Sequence, residues 1–236
     1  MRIKNIESDS TVYAITDVHG MRGLLNQLTA EIDRDAVKFE KPVAVFMGDT
    51  IDRGPDSRGV LEDIRAWEFD KVFLMGNHEE MFIEWTKLGR PDALADSTYF
   101  LMNGGRETMI SYGGDESAMA RDIAGFASWF DAASTDRFIF VHAGIMPGVR
   151  LKHQDVSVTR WIRDRFLNSE EDHEKIVVHG HTPSLSAPDV KKNRVNLDAG
   201  SSFSGRLVAG RFSPDGSMAF VESSESGVRW IETHQE

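Results

Sequence analysis

VYAITDVHG at 12–20, VAVFMGDTIDRGP at 43–55 and VFLMGNHEE at 72–80 share one pattern: a short apolar run, then a turn carrying Asp, His or Asn beside glycine. The runs predict strands at 12–16, 43–47 and 72–75. Between them Leu24, Leu25, Leu28 and Ile32 mark one helix face, and Val60, Leu61 and Ile64 fit another. Strand, helix, strand, helix, strand predicts a largely parallel sheet with short crossovers. FIFV (138–141) and IVV (176–178) return to strand, followed by His142-Ala143-Gly144 and His179-Gly180-His181-Thr182. The stretch 79–133 reads as a helical insert, with Met119, Ile123, Phe126 and Phe130 keeping a helical spacing. After about 194, RVNLD, GRLVAGRF, MAFVE and VRWIE read as short strands forming an antiparallel end to the sheet. The expectation is a single α/β domain over 1–236 with mixed sheets.

Composition narrows the function. The 236 residues contain no cysteine, which excludes disulfides, zinc–thiolate sites, iron–sulfur clusters and thiol nucleophiles. Any metal must bind nitrogen and oxygen. A net charge of −11 argues against nucleic-acid polymers and anionic membranes as partners. No apolar run is long enough to span a bilayer, and the polar start MRIKNIESDS lacks a signal-peptide core, so a cytoplasmic location is expected.

The chemistry lies where the strands end. Ligands of α/β sheets bind at the carboxyl ends of strands, and five of the eight histidines lie in these turns. Taken singly, each motif has an ordinary reading. Asp17-x-His19 and Gly48-Asp49 are common turns, Asn77 could cap a helix, Asp52-Arg53 could be a surface ion pair and His142 a core histidine. Jointly, Asp, Asn and His at one sheet edge suit borderline divalent cations. Asp17 and Asp49 bring two negative charges, too few to offset two such cations, so the site would attract an anionic substrate. Two metals suit in-line displacement at phosphorus.

DVHG, GDTIDRGP, GNHEE, HAG and HGHTP resemble the signature set of the calcineurin-like metallophosphoesterases, and more narrowly the phosphoprotein phosphatase branch in its compact bacterial and phage form. The motifs span 17–183 in the family's order. The resemblance implies an α-β-β-α fold, with two mixed β-sheets sandwiched between helices. It implies that Asp17 and His19 hold a first metal, that Asp49 bridges, and that Asn77, His142 and His181 hold the second. Pro183 stands where broader relatives place a further histidine, which leaves His179 in a supporting role. Manganese is the expected metal, with iron or zinc as alternatives.

The resemblance also implies that His78 protonates the leaving group, oriented by Asp52, and that Arg53 grips the phosphoryl oxygens. A second arginine follows the HAG turn. Arg160, Arg163 and Arg165 are candidates, and Trp161-Ile162-Arg163 matches the bacterial and phage pattern, so Arg163 is chosen. The implied reaction is single-step hydrolysis of phosphoserine and phosphothreonine in proteins by a metal-bridging hydroxide, with phosphate as product and inhibitor. The alternative on the same site is hydrolysis of diadenosine tetraphosphate or another dinucleoside polyphosphate. A distant third is an inactive phosphoprotein-binding module. Met75 stands where eukaryotic members carry arginine, and their long C-terminal groove segment is missing, which argues against regulation by partner subunits. Asn103-Gly104-Gly105 reads as a plain turn, with a substrate-side loop as the alternative, and Asn196-x-Asp198-Ala199-Gly200 is expected to support the site from behind.

Overall fold

The computed structural model describes residues 1–87 and 98–231. Its strands are β1 (Ile3–Asn5), β2 (Thr11–Ile15), β3 (Pro42–Phe46), β4 (Lys71–Phe73), β5 (Ala132–Ser134) and β6 (Phe138–Val141). They continue with β7 (Ile176–His179), β8 (Asp189–Val190), β9 (Arg194–Asn196), β10 (Arg206–Phe212), β11 (Met218–Ser224) and β12 (Gly227–Ile231). The helices are α1 (Arg22–Ala36), α2 (Ser57–Ala66), α3 (Asn77–Lys87), α4 (Thr98–Phe100), α5 (Arg106–Tyr112) and α6 (Glu116–Phe126). Three short helices follow: α7 (Val156–Trp161), α8 (Asp164–Leu167) and α9 (Ser201–Ser204).

Two mixed six-stranded sheets result, in the orders β12-β11-β10-β2-β3-β4 and β1-β5-β6-β7-β9-β8. Side-chain alternation explains how they stack. Val12 and Ala14 of β2 pack into a core shared with Phe138, Phe140, Val178 and Val195 of the other sheet. Tyr13 and Ile15 point the other way, onto Leu24, Leu25, Leu28 and Ile32 of α1 and Val60 and Ile64 of α2. On the far side, Ile139, Val141 and Val177 pack against Leu151 and Phe166. The layers are therefore helix, sheet, sheet, helix, as the resemblance implied.

Sequence pattern and structure part in two places. RVNLD does not belong to the antiparallel end. β9 runs parallel to β7, with Val178 opposite Val195, while β10, β11 and β12 extend the other sheet antiparallel to β2. Alternation marks a strand but carries no direction. Phe130 does not continue the helix of Met119, Ile123 and Phe126. α6 ends at Phe126, and Phe130 bridges Leu74 beside β4. The polar or small strands β1, β5 and β8 lack an apolar run and were not anticipated. Between β4 and β5 the described residues are mostly helical, and no described helix is long and apolar enough to cross a membrane.

Candidate metal centre

Strands from both sheets end at one place. β2 delivers Asp17 and His19, β3 delivers Asp49, Asp52 and Arg53, and β4 runs into Asn77 and His78 at the start of α3. β6 delivers His142 and β7 delivers His181 from the opposite sheet. The turns are locked to one another. The Asp17 N–H donates to the Gly48 carbonyl at 3.2 Å, His19 N–H to Asp49 at 2.9 Å, and Gly180 N–H to His142 at 2.8 Å. Gly48 sits at φ +88°, and a Cβ there would lie 2.4 Å from the Gly76 nitrogen, so only glycine lets these two turns touch.

Among the described residues, six that are not glycine have positive φ: Asp17 (51°), His19 (46°), Asp49 (52°), Asp52 (71°), Arg53 (68°) and His181 (67°). Each such backbone costs about 1–3 kcal/mol and persists only where surroundings over-determine it. All six are residues the sequence singled out.

Asp49 lies between two clusters of ligand atoms, each within 4.8 Å: His19, Asp49 and His78, and Asp49, His142 and His181. In the second, His142 Nε2 is 2.9 Å from Asn77 Oδ1, 3.2 Å from His181 Nδ1 and 3.4 Å from Asp49 Oδ1. His181 Nδ1 is also 2.8 Å from Asn77 Oδ1. The Met47 carbonyl accepts from His142 Nδ1 at 2.8 Å, which turns Nε2 toward the cluster. Four nitrogen and oxygen atoms thus converge with too few protons to satisfy them, and buried His181 Nε2 has no partner among the described residues. Burial opposes charge on His142, yet Asp49, Asp17 and Glu79 lift its ring to about 9. Such a surplus of lone pairs and negative charge fits a divalent cation on nitrogen and oxygen ligands.

In the first cluster the Ile51 carbonyl accepts from His19 Nδ1 at 2.9 Å, which turns Nε2 toward the carboxylates, 3.6 Å from Asp49 Oδ2 and 3.8 Å from Asp17 Oδ1. Asp17 keeps Oδ1 available because Oδ2 accepts from Thr16 Oγ1 (2.6 Å) and His181 N–H (3.0 Å). His78 Nε2 is 3.7 Å from Asp49 Oδ2, near the tighter group, but its Nδ1 pairs with Asp52 Oδ2 at 2.7 Å. Burial disfavours the charged His78 ring, while Asp49 and Asp52 outweigh it and raise the ring above its ordinary range. A buried imidazole held toward its protonated form beside the clusters is placed to act as a proton donor.

The two arginines are placed differently. Arg53 is exposed, and its Nη1 lies 2.9 Å from His19 Nε2, over the first cluster. Arg163 is exposed and its charge reaches His181, adding to burial and to His142 in holding that ring down to about 3. Arg160 is engaged elsewhere, donating to Glu80 at 2.6 Å and Asp131 at 2.7 Å.

Several supports had no assigned role in the sequence. Glu79 is buried and accepts from Asp49 N–H (2.9 Å), Thr50 N–H (2.8 Å), Gly76 N–H (3.0 Å) and Thr50 Oγ1 (2.7 Å), fixing the β3 turn. Gly104 of the insert is more than a plain turn: its carbonyl accepts from Arg53 N–H at 3.0 Å. At φ +103°, a Cβ there would meet that nitrogen at 2.5 Å. Thr108 of α5 donates to Asp52 Oδ1 at 2.6 Å. Behind Asp17, the Ser201 hydroxyl donates to its carbonyl at 2.6 Å, and Asn196 Nδ2 donates to Thr182 at 2.8 Å, so the 196–201 segment does back the site. His179 faces away, its ring edge-on to Phe166 at 5.0 Å and Nδ1 against its neighbour's carbonyl at 3.0 Å. Glu79 belongs to a motif the sequence already shows, whereas Gly104, Thr108 and Ser201 reach the turns only through the tertiary fold.

The chain is similar to known proteins in sequence and in fold. The family model for calcineurin-like phosphoesterases matches residues 10–214. The chain is 28% identical over 213 residues to serine/threonine-protein phosphatase 1 of Salmonella typhimurium, covering 85% of this chain and 91% of that one. It is 27% identical over 240 residues to the asymmetrical bis(5'-nucleosyl)-tetraphosphatase PrpE of Bacillus velezensis, covering 89% and 92%. The crystal structure of a cold-active protein-tyrosine phosphatase of a psychrophilic Shewanella superposes with a TM-score of 0.61 at 15% identity, covering 97% of this chain and 82% of that one.

Proposed function

We propose a substrate from one premise: the chain belongs to the calcineurin-like phosphoesterase family. The reading is a metal-dependent monoesterase acting on phosphoserine and phosphothreonine in proteins. Asp17, His19 and Asp49 would hold one divalent cation, and Asp49, Asn77, His142 and His181 a second, with manganese first and iron or zinc next. When bound, the metals supply Lewis-acid chemistry, making water more acidic and offsetting charge on the phosphoryl oxygens. The chain's own groups do the rest. Arg53 and Arg163 bind the phosphoryl oxygens with planar, permanently charged forks. His78 Nε2 gives its proton to the leaving oxygen as the P–O bond breaks, while Asp52 holds Nδ1–H and keeps the ring aimed.

The observation that carries the choice of substrate is the buried His78–Asp52 pair at 2.7 Å. A serine or threonine alkoxide is strongly basic and leaves only when protonated. A nucleoside polyphosphate leaves as a weakly basic phosphate oxygen, for which a dedicated acid gains little. Similarity to the Salmonella protein phosphatase over most of both chains supports the same reading. The second reading, cleavage of dinucleoside polyphosphates, is favoured by the comparable similarity to the Bacillus tetraphosphatase.

Paired kinetics on manganese-loaded protein separate them. kcat/KM for a phosphothreonine peptide is expected to exceed that for diadenosine tetraphosphate by about a hundredfold, equivalent to about 2.7 kcal/mol of transition-state binding. Chelation should abolish both activities. The reverse preference would leave the site as described and replace the substrate.

A further inference from the structure

The helical insert reaches into the proton-donating pair from a side the chemistry above does not use. Asp52 Oδ2 takes the His78 Nδ1–H. Its other oxygen, Oδ1, accepts at 2.6 Å from Thr108, which lies 56 residues away on α5 and is fully buried. Thr108 Oγ1 has three neighbours: Asp52 Oδ1, the Asp52 N–H at 2.9 Å and Ser57 Oγ at 2.8 Å. A hydroxyl has one proton and two lone pairs. The carboxylate can only accept, so the threonine proton goes to Oδ1. The Asp52 N–H and the Ser57 hydroxyl must then both donate to Thr108. Ser57 Oγ in turn accepts from the same Asp52 N–H at 2.9 Å. The one Asp52 N–H proton is thus shared between the two hydroxyl oxygens, while each hydroxyl proton has a single acceptor.

We propose that Thr108 is a positioning residue for the leaving-group side of the reaction, orienting the Asp52 carboxylate so that His78 Nε2 faces the leaving oxygen. Asp52 sits at φ +71°, a backbone that does not by itself hold one orientation of the carboxylate. Thr108 grips both its N–H and its carboxylate. α5 is itself tied to α2, since Ser111 Oγ accepts from Arg58 N–H at 3.1 Å. The insert thus contributes a hydrogen bond to the residue that orients His78. The inference rests on the phosphomonoesterase reading.

Thr108→Val keeps the shape and removes the proton. It is expected to lower kcat for a phosphothreonine peptide by about tenfold or more, the scale of a small misplacement near the chemistry, with little change in KM. kcat for 4-nitrophenyl phosphate, whose leaving oxygen needs no proton, should fall far less. Thr108→Ser restores the hydroxyl and should recover most of the loss. In an Asp52→Asn background, adding Thr108→Val should cost little more, because both changes act through one carboxylate. Thr108→Ala, which removes the same hydroxyl, answers the question if the valine variant does not fold. An equal loss on both substrates, no loss at all, or an additive loss on top of Asp52→Asn overturns the proposal. His78→Ala as a control separates the two readings. If it spares the peptide reaction, the proton-donor reading fails. If it is selectively damaging and Thr108→Val is not, this inference alone fails.

Discussion

Asp49→Asn is expected to lower kcat/KM for 4-nitrophenyl phosphate by at least about a thousandfold, or about 4 kcal/mol of transition-state stabilisation. Its two oxygens face different clusters: Oδ1 lies 3.4 Å from His142 Nε2, and Oδ2 lies 3.6 Å from His19 Nε2. Losing its charge weakens both cation sites together, whereas a change at Asn77 or Asp17 touches one. Asparagine suits the test because it tolerates the left-handed backbone that Asp49 adopts at φ +52°. Burial opposes the ionised Asp49 carboxylate, but His142, His78 and His19 hold it well below the usual carboxylate range. The metal-free variant should therefore lose that attraction and melt at a lower temperature, with its far-UV circular dichroism kept below the transition, while calorimetric titration with manganese shows weakened binding at both sites. Full activity together with two manganese equivalents bound at native affinity would sink the shared-ligand reading.

His78→Ala is expected to reduce kcat for a phosphothreonine peptide by about a thousandfold, within the range of positioned general acids. The loss on 4-nitrophenyl phosphate should be much smaller. The variant is informative because the His78 N–H that donates to Asp49 Oδ1 at 3.0 Å belongs to the backbone and survives the change. Manganese affinity should accordingly stay near native. Equal losses on both substrates, accompanied by weakened metal binding, would place His78 among the ligands instead. The distance of 3.7 Å from its Nε2 to Asp49 Oδ2 makes that a real contest.

Much of the site was legible because its information is local. An apolar run followed by Gly-Asp or Gly-Asn-His says where a strand ends and what it delivers. The same local pattern accounts for the six strained residues, all of which lie in those turns. Arg163 needed the resemblance, since three arginines within six residues present the same chemistry, and only the fold engages Arg160 with Glu80 and Asp131. Two structural expectations failed for want of local information. Phe130 kept the helical period by coincidence after α6 had ended, and β9 looked like its neighbours although it joins the other sheet.

The sequence by itself determined the atom types at the strand ends, the position of the apolar strands that deliver them, and the exclusion of sulfur chemistry. Those follow from side-chain period, turn residues and composition, which neighbours along the chain decide. Only the tertiary structure decided that Asp49 turns Oδ1 to His142 and Oδ2 to His19, that Asp52 gives one oxygen to His78 and the other to Thr108, and that Gly104 supports Arg53. Those contacts join residues far apart in the chain. A hydroxyl on a buried helix face acquires a role only when packing brings a carboxylate within hydrogen-bonding distance and excludes the water that would otherwise take its place.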